Sequence, residues 1–350
     1  MENVQTPKRK QRDILDLAKY ILSIFIVAIH SSLLGDLIYP WVKIAVPLFF
    51  IVSAYLLTEK LKETPKENRW SVTWKYIKRN LLLYLFWFVI LLPVTIVARK
   101  DWWQGDVGLF IWKIISSTLF SSTFKVSWFI VGCIYGALAI YLTMKLPKVF
   151  SIIIGLAFYS LTLLLSSYYF LLEGNTVFES FKYWYVFLFT SPEFSFPTAI
   201  CWMLIGSFIS RTNLGLTEVW HYILAQALVL ISFAALYFEW AYIYQNIGVA
   251  TIELSLLVVV CPLIFISIKD LNISIKHAST LRKLSTLIYL IHITTADMVR
   301  YFFTLGNIDP YALGISVAVF FITLVISHGW AFLLLWVEKI KYFTWVRYSH

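Results

Sequence analysis

Ten apolar stretches, each near the length needed to cross a bilayer as a helix, follow one another along the chain at residues 14–34, 40–58, 77–98, 126–145, 149–170, 197–212, 219–238, 248–268, 284–305 and 311–337. About 20 apolar residues span the hydrocarbon core, because a helix rises about 1.5 Å per residue and satisfies its own backbone polar groups. With 60% hydrophobic and only 14% charged residues, the 350-residue chain has too little polar surface for a soluble domain. The sequence therefore predicts an all-α, polytopic membrane helix bundle of about ten transmembrane helices. Two further apolar pieces fall outside the ten: Trp102, Trp103 and residues 108–120 read as an amphipathic surface segment, and residues 181–189 as an interfacial or re-entrant one.

Charge supplies the orientation. With both termini cytoplasmic, 21 of the 29 basic residues fall inside, among them Lys8, Arg9, Lys10 and Arg12, seven between Lys60 and Arg79, and Lys339, Lys341 and Arg347. Residues 1–340 form one membrane domain and 341–350 a short cytoplasmic tail. The net charge of +10 is accounted for by loops that face anionic lipid, so nucleic acid is not a partner. The N-terminal apolar run is too long for a signal-peptide core and is expected to remain as a span. Cys133, Cys201 and Cys261 are odd in number and widely spaced, which favours buried thiols over a disulfide or a metal site.

Against this apolar background ionisable groups inside a span are costly and point to function. Lys19 and His30 are eleven residues apart on the first span, an advance of about 1100° that leaves their side chains within about 20° of each other and roughly 16 Å apart along the axis. Ser23 extends the same stripe. The orientation puts Lys19 near the cytoplasmic face and His30 near the outer one. On the ninth span Ser285, Tyr289 and His292 are spaced by four and three and share a second polar face. A histidine that merely satisfies itself on a neighbouring helix is the plain alternative for His292, and less so for His30 with its coaligned cation. Lys75, Lys78 and Arg79 enter the third span at the cytoplasmic side, where they suit the phosphates of an anionic donor. Asp16 has Lys19 and Arg12 as near neighbours on its helix, whereas Glu253 and His328 have no partner aligned in sequence.

The motif formed by Lys19, ten residues and His30, followed by the run Val46-Pro47-Leu48-Phe49-Phe50-Ile51-Val52-Ser53-Ala54-Tyr55-Leu56-Leu57, resembles the opening of the membrane acyltransferase-3 family. Tyr76 to Arg79, Ser127-Trp128-Phe129 and Ser285 to His292 resemble three further segments of that family in the same order, and the likeness covers roughly residues 12 to 340. The family usually has arginine where this chain has Lys19, and glycine at Ala54; lysine keeps the charge but lacks the planar fork. The resemblance implies transfer of an acyl group, most often acetyl, from cytoplasmic acyl-CoA to a hydroxyl of a surface polysaccharide or lipid-linked sugar, in the plasma or inner membrane. The candidate catalytic residues are His30, as general base, and His292. Lys19, Lys78 and Arg79 are the candidates for binding acyl-CoA, and Ser23, Ser53, Ser285 and Tyr289 for lining a tunnel; no metal is expected. An imidazole, with an ordinary pKa of about 6.5, can take a proton from an attacking hydroxyl or carry the acyl group itself, and both routes stay open. A carrier is the rival reading. Gly/Pro-broken helices or inverted repeats would favour it, but Pro47, Pro93 and Pro262 are isolated and no internal symmetry is visible.

Overall fold

In a computed structural model that describes residues 13–35, 37–248 and 253–350, the chain is an all-α bundle. The N-terminal basic residues Lys8 to Arg12 and the first part of the eighth expected span lie outside the described residues. The ten expected spans coincide with α1 (Asp13–His30), α3 (Ala45–Lys62, preceded by the single turn α2, Tyr39–Val42), α4 (Arg69–Ala98), α6 (Trp128–Thr143), α7 (Lys148–Leu165), α9 (Phe196–Thr212), α10 (Val219–Ile247), α11 (Leu257–Lys269), α12 (Ala278–Leu305) and α13 (Leu313–Val337). The amphipathic segment is α5 (Val107–Phe120), started by the Asp106 carboxylate accepting from the Leu109 amide at 3.0 Å. The interfacial piece is α8 (Thr176–Phe189).

Among the described residues five stretches are long and apolar enough to cross a membrane: Tyr39–Lys62, Lys66–Ala98, Lys148–Leu165, Val219–Ile247 and Leu313–Val337. A sixth arises if Thr176–Phe194 and Phe196–Thr212, bent by 45° at Ser195, count as one broken span. This break was not foreseen from the isolated prolines. The remaining helices fall short for identifiable reasons. Helix α1 carries Asp13, Asp16 and Lys19, α12 carries Arg282, Lys283, Asp297 and Arg300, and α6 and α11 are short.

Burial sorts the helices into inner and outer sets. Helices α3 and α9 form the most extensive pair, α9 also packs on α7 and α6, and α1 lies along α12. The outer helices α4, α10 and α13 expose apolar side chains such as Val89, Val97, Leu230, Ile231 and Val325, the surface a bilayer would cover. The polar helices α1 and α12 are thus placed where their charges face protein and cavity instead of lipid. Close packing of the inner pair depends on one missing side chain: a Cβ at Gly206 would lie 2.4 Å from the Ile51 carbonyl oxygen.

Successive helix ends alternate between the two ends of the bundle. At one end the Asp13 carboxylate accepts from the Ile275 amide at 2.9 Å, Lys283 pairs with Glu338 at 2.7 Å, and Arg211 donates to the Thr143 carbonyl at 3.1 Å. This is the basic end. At the other, Arg300 of α12 donates to the carbonyl of His30 and Arg99 to those of Ser122 and Thr123. Residues Lys341–Ser349 coil against α4 and α13, Trp87 in the middle of α4 donates to the Ser349 carbonyl at 2.9 Å, and His350 lies 3.2 Å from Glu338, the partner of Lys283.

Candidate functional site

Two cavities enter the bundle from its opposite ends. The basic-end cavity, about 730 Å³, is lined by the side chains of Lys19, Lys60, Lys75, Arg79, Arg282 and Lys283, with Ser53, Phe49, Phe129, Tyr289 and His350 among the rest. No Asp or Glu lies in its described wall. Arg282 reaches Asp16 at 3.3 Å and Lys283 reaches Glu338, while Lys19, Lys60, Lys75 and Arg79 make no ion pair among the described residues. Asp16 therefore crosses to α12 and is not the ion-pair partner of Lys19. Burial pushes the His350 imidazole below its usual pKa, against the pull of the Glu338 carboxylate 3.2 Å away.

The opposite cavity, about 620 Å³, has a different wall. His30, the last residue of α1, opens into it together with Lys43, Arg99, Lys125, Glu253 and Arg300, and aromatic rings including Trp102 and Trp128. The helix terminus is fixed from α12: Arg300 holds the His30 carbonyl and pairs with Asp297 at 2.6 Å, a cation at a helix C-terminus where the backbone dipole is negative. Behind His30 sits His292, fully buried, with its ring centroid 5.1 Å from that of His30. Its Nδ1 lies 3.1 Å from the Ile288 carbonyl. A carbonyl only accepts, so Nδ1 carries the proton, and Nε2 is left as an acceptor with no partner among the described residues.

Between the cavities stand three rings. Phe49, Phe129 and Tyr289 contact one another pairwise at centroid distances of 5.1 to 5.9 Å, and Tyr289 lines both cavities. Its hydroxyl donates to the Val126 carbonyl at 3.2 Å, which anchors the ring across α12 and the turn before α6. The stripe on α1 therefore opens to two compartments: Lys19 to one, His30 to the other.

The expected site residues separate on this geometry. Lys19, Arg79, Ser53, Tyr289 and His30 line a cavity, and His292 backs His30. Ser23 and Ser285 line neither cavity. Both are buried and donate to their own helix, Ser23 to the Tyr20 carbonyl at 2.6 Å and Ser285 to the Arg282 carbonyl at 2.8 Å. Lys78 is exposed and absent from the cavity wall, where Lys75, about one turn before Arg79 and closer to its face, takes its place. Helical period explains both shifts: a shared stripe is wider than the strip that a curved cavity touches.

Several polar groups find partners that the sequence did not pair. Glu253 meets Lys43 at 2.9 Å across 210 positions and lies 3.4 Å from the Tyr159 hydroxyl. His328 meets the Tyr20 hydroxyl at 2.8 Å. A carboxylate in an apolar run was itself the signal that a cation must exist, without saying which one. The three cysteines are free and buried. Among the described residues no group of three or more His, Cys, Asp or Glu side chains is placed to hold a metal ion.

Neither the curated proteins nor the solved structures yield a match to this chain. A family model described as an acyltransferase domain matches residues 12–336, nearly the whole length. The match spans every helix that lines the two cavities, from the Lys19–His30 stripe of α1 to α12. The chain accordingly belongs to the acyltransferase-3 family and is a membrane acyltransferase, a transferase of groups other than amino-acyl groups.

Proposed function

We propose that the chain transfers an acyl group, acetyl in the first instance, from cytoplasmic acyl-CoA to a hydroxyl of a surface polysaccharide or lipid-linked sugar at the plasma or inner membrane. The observation that carries this reading is the two-ended stripe on α1, with Lys19 in a cation-lined cavity at the basic end and His30 in the cavity at the other. By the positive-inside rule the basic end faces the cytoplasm, where acyl-CoA is made. Four cations without acidic partners there, Lys19, Lys60, Lys75 and Arg79, suit the phosphates of coenzyme A, since charge-assisted bonds to phosphate are strongest where no protein carboxylate competes.

In this reading the thioester arm runs along α1 past the three rings toward His30. The His30 imidazole takes the proton of the acceptor hydroxyl as its oxygen attacks the thioester carbonyl carbon. The C–O bond forms, the C–S bond breaks, and the imidazolium returns the proton to the departing thiolate. His292, whose Nδ1 proton is committed to the Ile288 carbonyl, packs behind His30 and limits the ring's positions. Membership of an acyltransferase family speaks against the carrier reading, whereas the broken span at Ser195 is a feature that a carrier would share. Mass spectrometry of surface glycans from producing cells, with and without this gene, tests the proposal. Ester-linked acyl groups are expected only with the gene and should vanish with His30→Ala; an unchanged glycan profile would overturn it.

A further inference from the structure

We infer that the cavity containing His30 holds a subsite for an anionic group on the acceptor, centred on Arg99, so that the acceptor is a saccharide bearing a phosphate or carboxylate. This rests on the acyl-transfer reading for its link to the acceptor, but the subsite itself rests on charge and geometry. Four cations line the cavity, Lys43, Arg99, Lys125 and Arg300, against one lining carboxylate, Glu253. Three of the four are already matched: Lys43 by Glu253 at 2.9 Å, and Lys125 and Arg300 both by Asp297, which sits just behind the wall. The further acidic neighbour, Glu193, accepts from the Ser191 hydroxyl and makes no ion pair among the described residues.

Arg99 is the exception. It makes no ion pair among the described residues, and its position is set by groups that leave its charge intact. Nε donates to the Thr123 carbonyl and one terminal nitrogen to the Ser122 carbonyl, both at 3.1 Å, while the guanidinium lies 4.6 Å from the centroid of the Trp102 ring. Backbone carbonyls orient a guanidinium without neutralising it, and a fork with five donors retains unused ones on Nη1. A half-buried cation fixed in this way is preorganised for an incoming anion. Lys125 and Arg300 share a single Asp297, so the wall keeps a surplus of positive charge beyond Arg99. Trp102, which carries Arg99 on its ring, and the buried Trp128 give the same wall an apolar lining beside the cation.

The test is equilibrium binding to the purified full chain in nanodiscs of uncharged lipid, with octyl glucoside, octyl glucuronide, octyl phosphoglucose and sugar-free octyl phosphate as probes. The charged glycosides are expected to bind at least about tenfold more tightly than octyl glucoside, the scale of one charge-assisted hydrogen bond. Which of the two leads tells carboxylate from phosphate. Arg99→Gln should erase the preference while leaving octyl glucoside binding in place, and Arg99→Lys should restore part of it. Equal binding of charged and neutral glycosides by the wild type overturns the subsite, and this ranking needs no variant to fold. Octyl phosphate binding as tightly as octyl phosphoglucose overturns it too, because the cavity would then read a lipid phosphate and not a sugar. Release of coenzyme A from acetyl-CoA is followed separately with the same probes. Charge preference without release removes the acyl-transfer reading and leaves the subsite; release with equal KM for charged and neutral probes does the reverse.

Discussion

Among the described residues six cations wall the basic-end cavity and four the His30 cavity, and the two handle them in opposite ways. At the basic end most are unpaired and no acidic side chain joins the described wall, whereas around His30 all but Arg99 are tied to a carboxylate. Unpaired cations tolerate exposure to water and leave their charge free for an anionic ligand. Under the proposed function the contrast separates binding from chemistry, with Lys19 and its neighbours assigned to affinity and His30 to rate.

The sharpest way to break this contrast is at His30. Substitution by Ala should lower the rate of acyl transfer by about 10² to 10⁴, the usual loss of a positioned base, with the folded protein retained and KM for acyl-CoA little changed. Release of coenzyme A by purified wild type and variant measures it; near-wild-type turnover would assign the base elsewhere. A smaller effect of a different kind is expected at Lys19. Lys19→Ala should raise KM for acyl-CoA by roughly tenfold to a hundredfold, the worth of a lost bond to a charged group, while Lys19→Arg keeps most of the affinity. A dependence on acyl-CoA concentration that stays as in the wild type would detach Lys19 from the donor. The smallest effects belong to residues that share a stripe but not a cavity. Ser23→Ala, Ser285→Ala and Lys78→Ala should each change kcat/KM by less than about threefold, because the two hydroxyls only return to their own helix and Lys78 points away from the wall. A large loss in any of them would mean that the functional path leaves the cavities described.

The break between α8 and α9 shows what a linear reading passes over. Isolated prolines gave no sign of it, and the bend falls at Ser195, where the 3-10 turn Pro192–Phe194 meets the first turn of α9. The Ser195 hydroxyl donates to the Pro192 carbonyl at 3.0 Å and the Thr198 hydroxyl to the same oxygen at 3.0 Å, so the bend satisfies its own backbone. These are side-chain bonds made in a folded neighbourhood, with Phe194 and Thr198 at the wall of the His30 cavity.

The sequence by itself determined the ten apolar helical segments, the clustering of most positive charge toward one end, and the sharing of one face by Lys19 and His30. These are local properties: a rise of about 1.5 Å and a turn of about 100° per residue fix span length and stripe from neighbours alone. Tertiary structure decided which parts of each stripe meet a cavity, sealing Ser23 and Ser285 into helix contacts and replacing Lys78 by Lys75. It also decided which charges meet, joining Lys43 to Glu253, Asp16 to Arg282, and Lys125 and Arg300 to one Asp297. An ion pair between residues 210 or 266 positions apart depends on how helices are ordered and rotated in the bundle, which is set by packing such as the Gly206–Ile51 approach and leaves no periodic trace along the chain.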